Sequence, residues 1–166
     1  MESSAPGPKN AIDWVESTGG PLVLVPRRHA SKWRGIETDD YIDACAVDSY
    51  LGVVSRPWGE AVVLGDEALR TTAITRGADV LLVRWMYAPS SDALTEAARG
   101  FRAPSRLAVE YARISFLDEP YLIIDSAAVG DGAPGLNLRV PAGLREVNTY
   151  VVKDVRDIAF VVHQIL

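Results

Sequence analysis

The chain has 166 residues, with 17 Lys and Arg against 22 Asp and Glu (formal net charge −5), 48% hydrophobic residues and a single cysteine. A domain of this length buries roughly two-thirds of the surface its unfolded chain exposes, so its core needs neither a disulfide nor a metal. The composition excludes a disulfide framework. It also excludes a membrane-spanning helix, because no apolar run approaches the roughly 18 residues required, and nucleic acid as the main ligand, because phosphate binding needs clustered Lys and Arg.

Residues 1–10 are rich in Ser, Pro and Gly and lack a basic region followed by an apolar stretch. They read as a disordered tail and not as a secretory signal, leaving residues 11–166 as one domain in a reducing, cytoplasmic compartment. Residues 22–25 form a short buried strand ended by Pro26, and a helical turn follows over 27–33. Thr38 or Asp39 caps a short helix whose Tyr41, Ile42, Cys45 and Ala46 share one side. Cys45, beside Ala44 and Ala46, reads as a buried cysteine. Residues 50–54 and 61–64 pair as a β-hairpin through Arg56, Pro57, Trp58 and Gly59.

Residues 80–87 have the β-branched and aromatic content of a central strand, in which Trp85 reads as core and Arg84 needs a partner if it points inward. Ser90 or Ser91 then caps a helix over 92–100 closed by Gly100. Strands follow at 107–116, 121–125, 136–140, 145–153 and 158–165. Leu136, Leu138 and Val140 alternate with Asn137 and Arg139, as in a strand with one wet face. The expectation is an α+β fold: a single domain, mainly antiparallel sheet, with a C-terminal meander and two or three short helices.

Charge is distributed unevenly. Between residues 37 and 67, eight acids (Glu37, Asp39, Asp40, Asp43, Asp48, Glu60, Asp66, Glu67) face one base, Arg56, giving −7 locally and leaving +2 for the rest. A basic cluster of Arg27, Arg28, Lys32 and Arg34 precedes them. Such a segment is either a solvated face or a docking face for a cationic partner.

Residues 130–135 match G-x-G-x-x-G, but an alternating strand segment follows them and Pro134 removes an amide that a phosphate loop would supply, so they read as a strand connection. His29 and His163 are far apart and Cys45 has no thiol neighbour, so neither metal nor cofactor is expected, and His163 reads as a structural histidine. Asp39, Asp40, Asp43 and Asp48 can supply a carboxylate pair, which keeps a hydrolase or small-molecule binder with a cleft beside residues 37–67 as an alternative. Asp39 and Asp43 share a helical face that can equally receive a partner's lysines and arginines. Trp58, in a turn among acids, is either an interface anchor or a ring folded back over its hairpin.

The string of residues 14–26, Trp-Val-Glu-Ser-Thr-Gly-Gly-Pro-Leu-Val-Leu-Val-Pro, resembles the opening of a bacterial immunity-protein family, the twenty-first of polymorphic toxin systems. Residues 40–53, 59–67 and 82–85 follow in that family's order, as do Ile124-Asp125-Ser126, Pro141-Ala142-Gly143 and the closing residues 162–166. The resemblance covers nearly the whole chain. It implies a cytoplasmic protein without catalytic residues that binds a cognate toxin domain and blocks it, with no nucleic acid or membrane partner. The face expected to make that contact is Asp39, Asp40, Asp43, Asp48, Trp58 and Glu60.

Overall fold

The computed structural model describes residues 13–103 and 107–166, and the tail expected at residues 1–10 lies outside them. Strand β1 (Leu22–Pro26) is buried at every position. Its run of apolar residues lacks alternation because both of its faces are dry: Leu22 and Leu24 enter one hydrophobic cluster, Val23 and Val25 another. Pro26 ends the strand, and a 3₁₀ turn (Arg27–Lys32) and a second one (Gly35–Glu37) lead to α1 (Asp40–Cys45). Strands β2 (Leu51–Arg56) and β3 (Gly59–Leu64) form the expected hairpin around Pro57 and Trp58.

Strand β4 (Thr71–Arg76) has no counterpart among the expected strands. It pairs with β5 (Asp79–Tyr87) across Gly77 and Ala78. Helix α2 (Ser91–Arg99) begins where Ser90 Oγ accepts the Ala93 N–H at 3.1 Å. Then come β6 (Glu110–Phe116), β7 (Pro120–Asp125), β8 (Gly135–Arg139), β9 (Gly143–Val155) and β10 (Ile158–Ile165). Every strand expected after residue 107 forms and pairs antiparallel, and their meander runs through two sheets.

The first sheet has the order β2-β3-β1-β7-β8 and the second β4-β5-β10-β9-β6. The chain crosses between them after β3, after β6 and after β8. One cluster, including Leu24, Leu64, Leu82, Phe116, Ile123 and Val147, draws on both sheets and fills the space between them. A second cluster packs Leu94 and Ala98 of α2 on the outer face of the second sheet against Leu81, Val83, Phe160 and Val162. A third packs Ala30, Trp33 and Ala44 on the outer face of the first sheet against Val23, Val25 and Val63. The α+β fold is therefore layered as helix, sheet, sheet, helix.

Polar groups stitch the sheets together. Arg84 points inward and is fully buried, and its Nη2 donates to Gly65 O at 2.7 Å and to Glu67 O, both just beyond β3. Burial lowers the Arg84 pKa to about 10, which leaves it a cation at neutral pH. On the other flank, Glu110 of β6 accepts the Leu51 N–H at 2.8 Å and the Tyr50 N–H at 3.3 Å. His163 is buried with Nδ1 at 2.7 Å from Thr149 Oγ1, while its Nε2 has no partner among the described residues. Trp85, expected in the core, lies half-covered on the outer face, where Trp14 meets it edge-on at 5.1 Å and the Arg70 guanidinium sits 4.8 Å above its ring.

Candidate partner-binding face

The acidic segment takes its shape from how the chain leaves β1. Trp33 is fully buried and its Nε1–H donates to Ser126 O at 3.0 Å. Gly35 has φ +57 and lies so close to the β7–β8 connection that a Cβ would stand 2.2 Å from Ala127 O, so only glycine fits there. The Ile36 N–H then donates to Ala127 O at 3.2 Å. These contacts fix the second 3₁₀ turn, which packs beside α1.

Helix α1 buries Asp40 and Ala44, four residues apart, and not the apolar side expected from Tyr41, Ile42, Cys45 and Ala46. The expectation failed because Asp40 is supplied with partners from a distance. Its Oδ2 accepts the Arg34 backbone N–H at 2.8 Å and its Oδ1 the Arg56 Nε–H at 2.7 Å. Arg56 Nη2 reaches Asp43 Oδ2 at 2.5 Å, so one guanidinium on β2 clamps two carboxylates on α1. Burial alone would raise the Asp40 carboxyl, but the Arg34 amide and the Arg56 guanidinium outweigh it and hold it below the usual carboxylate range. Arg56, which burial would lower, is raised by the same two acids. A general acid needs the opposite displacement, so Asp40 is not set up as one.

Turning Asp40 inward turns the opposite side of α1 to solvent. Cys45, expected to be buried, is exposed, as is Ala46. Ile42 is 64% exposed, and Ile36 on the neighbouring 3₁₀ turn is 70% exposed. Asp39 and Asp48 are exposed and Asp43 half-exposed; Asp39 and Asp43 lie at the cap and on the helix that carries Ile42, while Asp48 follows its C-terminal end. Ile36 and Ile42 carried no signal of exposure in the sequence, where an isoleucine reads as core by default.

The other expected residues divide. Trp58 folds back over the first 3₁₀ turn, with its ring centroid 5.6 Å from that of His29, and is partly covered by the cluster beneath it. Glu60 is exposed but belongs elsewhere. Its neighbours Ala61 and Val63 face the helical layer while Val62 and Leu64 face the sheet interior, so alternation places Glu60 on the interior side of the sandwich end, near Tyr121. Two members of the basic cluster are engaged within the chain: Arg28 Nε pairs with Glu119 Oε2 at 2.8 Å, and Arg34 pairs with Glu37. Residues 130–135 form a connection in which the Gly130 N–H donates to Trp33 O at 2.8 Å and Gly135 opens β8, so no helix follows them.

Among the described residues no helix is long and apolar enough to cross a membrane. The family model described as immunity protein 21 matches residues 13–156. No curated protein and no solved structure matches the chain.

Proposed function

This chain belongs to the immunity protein 21 family, and from that premise we propose that it is a cytoplasmic antidote that binds a cognate toxin domain directly and blocks it without chemistry of its own. The observation that carries the reading is the solvent side of α1, where Ile36 and Ile42 stand exposed among Asp39, Asp43 and Asp48. Exposed aliphatic side chains beside a surplus of carboxylates suit a partner whose apolar pocket is rimmed by Lys and Arg. The acids speed encounter and the isoleucines slow release. Asp40 serves beneath that surface, holding α1 to β2 through Arg56. Trp58, partly covered by its own fold, flanks the contact.

The test uses a toxin domain sought in the product of the neighbouring gene. Replacing Asp39, Asp43 and Asp48 by Asn is expected to slow association at low salt at least about tenfold and to flatten its salt dependence. Ile42→Glu is expected to speed dissociation with the melting transition unchanged, and the triple variant to lose less than about 1 kcal/mol of stability through Asp43. Unaltered rates and affinity at low and moderate salt would remove the contact from α1. Failure of the wild-type protein to bind that domain would overturn the antidote reading itself.

A further inference from the structure

The outer face of the second sheet is only half covered. Helix α2 lies against β10, and with it Tyr150 and Val152 of β9 are buried. Toward the other end of β9 and on the edge strand β6, the same face is bare. Tyr111 and Val109 are 69% and 54% exposed, and Leu144 on β9 is 60% exposed. The β6–β9 register sets Ser115 opposite Leu144, Arg113 opposite Glu146 and Tyr111 opposite Asn148, so these side chains line one surface. Between Tyr111, Ala112, Arg113, Glu146 and Asn148 it forms an open hollow of about 470 Å³.

We propose that this face is the interface of a two-fold homodimer, in which the bare ends of β6 and β9 of two copies pack against each other. Two properties select a second copy over other occupants. Among the described residues of β6 and β9 on this face, the register sets one cation, Arg113, against one anion, Glu146, so unlike the acids around α1 these strands present balanced charge. The charges of the face match those of a surface turned by 180°, with each Arg113 against the other copy's Glu146. It also carries a protruding apolar group, Leu144, beside a hollow, and an isologous contact needs both knob and hole on one surface. A face two strands wide falls short of the ~800 Å² per partner of tight complexes, so the dimer is expected to dissociate in the range of about 1–100 µM. Helix α1 lies on the opposite outer face of the sandwich, so dimerisation leaves it open.

The experiment needs no toxin. Sedimentation velocity on the full chain from about 1 to 500 µM should show a reversible monomer–dimer equilibrium, and Leu144→Asp should weaken it at least tenfold while leaving circular dichroism and melting unchanged. The deciding arm mixes two chains. Arg113→Glu and Glu146→Arg each place like charges across the two-fold and should be monomeric alone, whereas their mixture should form a heterodimer in which every charge meets its opposite. Monomer at every wild-type concentration, a dimer indifferent to Leu144→Asp, or no association on mixing would each overturn the proposal.

Discussion

The two outer faces of the sandwich are finished in different ways. On the first sheet the chain folds two 3₁₀ turns and α1 over the strands, plugs the gap with Trp33, turns Asp40 inward, and leaves Asp39, the half-exposed Asp43 and two isoleucines on the solvent side. On the second sheet a single longer helix, α2, covers the centre and leaves β6 and the near end of β9 bare and electrically balanced. Charge thus accompanies the face closed by short irregular elements, and neutrality the face closed by a regular helix. A docking surface rich in one sign attracts a partner of the other sign, while a balanced apolar surface recognises itself, so one small chain can hold two unlike contacts apart on opposite layers.

The comparison can be broken first at the plugs. Trp33→Ala should cost about 4 kcal/mol and Leu94→Ala about 3 kcal/mol in urea unfolding, because both side chains are fully buried and the tryptophan leaves the larger cavity. An equal or reversed order would show that α2, and not the 3₁₀ layer, is the more tightly packed covering. Next is the clamp beneath α1. Asp40→Ala leaves the half-buried Arg56 short of its buried partner and should cost about 3 kcal/mol. Asp43→Ala, which removes a half-exposed carboxylate from the same guanidinium, should cost less than about 1 kcal/mol. Equal losses from the two would place both acids on the surface and undo the distinction between support and contact.

The last test sets the interior against both faces. Burial, with Arg84 adding to it, holds the His163 imidazole well below its usual range, so the folded chain keeps it neutral while the unfolded chain takes up the proton first. Stability is therefore complete above about pH 6.5 and falls by about 1.4 kcal/mol per pH unit as pH drops below it, until the folded form also protonates. Comparing wild type with His163→Gln by urea unfolding from pH 7.5 to 5 isolates that slope. Parallel curves would mean that His163 titrates normally within the fold.

Much of the architecture was legible because strands dry on both faces leave long apolar runs, as in β1 and β10, and strands with one wet face alternate, as in β8. Strand β4 escaped notice because Thr71, Thr72 and Thr75 supply β-branched shape without hydropathy, and the burial of Thr71 and Thr72 depends on neighbours contributed by distant strands such as β5. The inner side of α1 was misread for a related reason. An aspartate reads as solvent-facing until a distant guanidinium claims it, and Arg56 stands 16 positions away in the chain. Once Asp40 turns in, Ile42 and Cys45 must turn out, so one unforeseen ion pair reverses the helix and exposes the apolar part of the candidate contact. The bare end of β6 and β9 was equally hidden, since the length of α2 does not say which strands it will cover.

The three crossings between sheets bear on how the chain is made. In the second sheet β10 lies between β5 and β9, which have no other bond to each other, so the halves of that sheet join only when residues 158–165 arrive. While the chain grows, the β4–β5 hairpin and the later β9 expose open strand edges to the crowded interior of the cell. Loop closures of that range make assembly slow relative to local helix or hairpin formation. A chain that stops short of residues 158–165 would therefore leave β5 and β9 each with an unpaired edge.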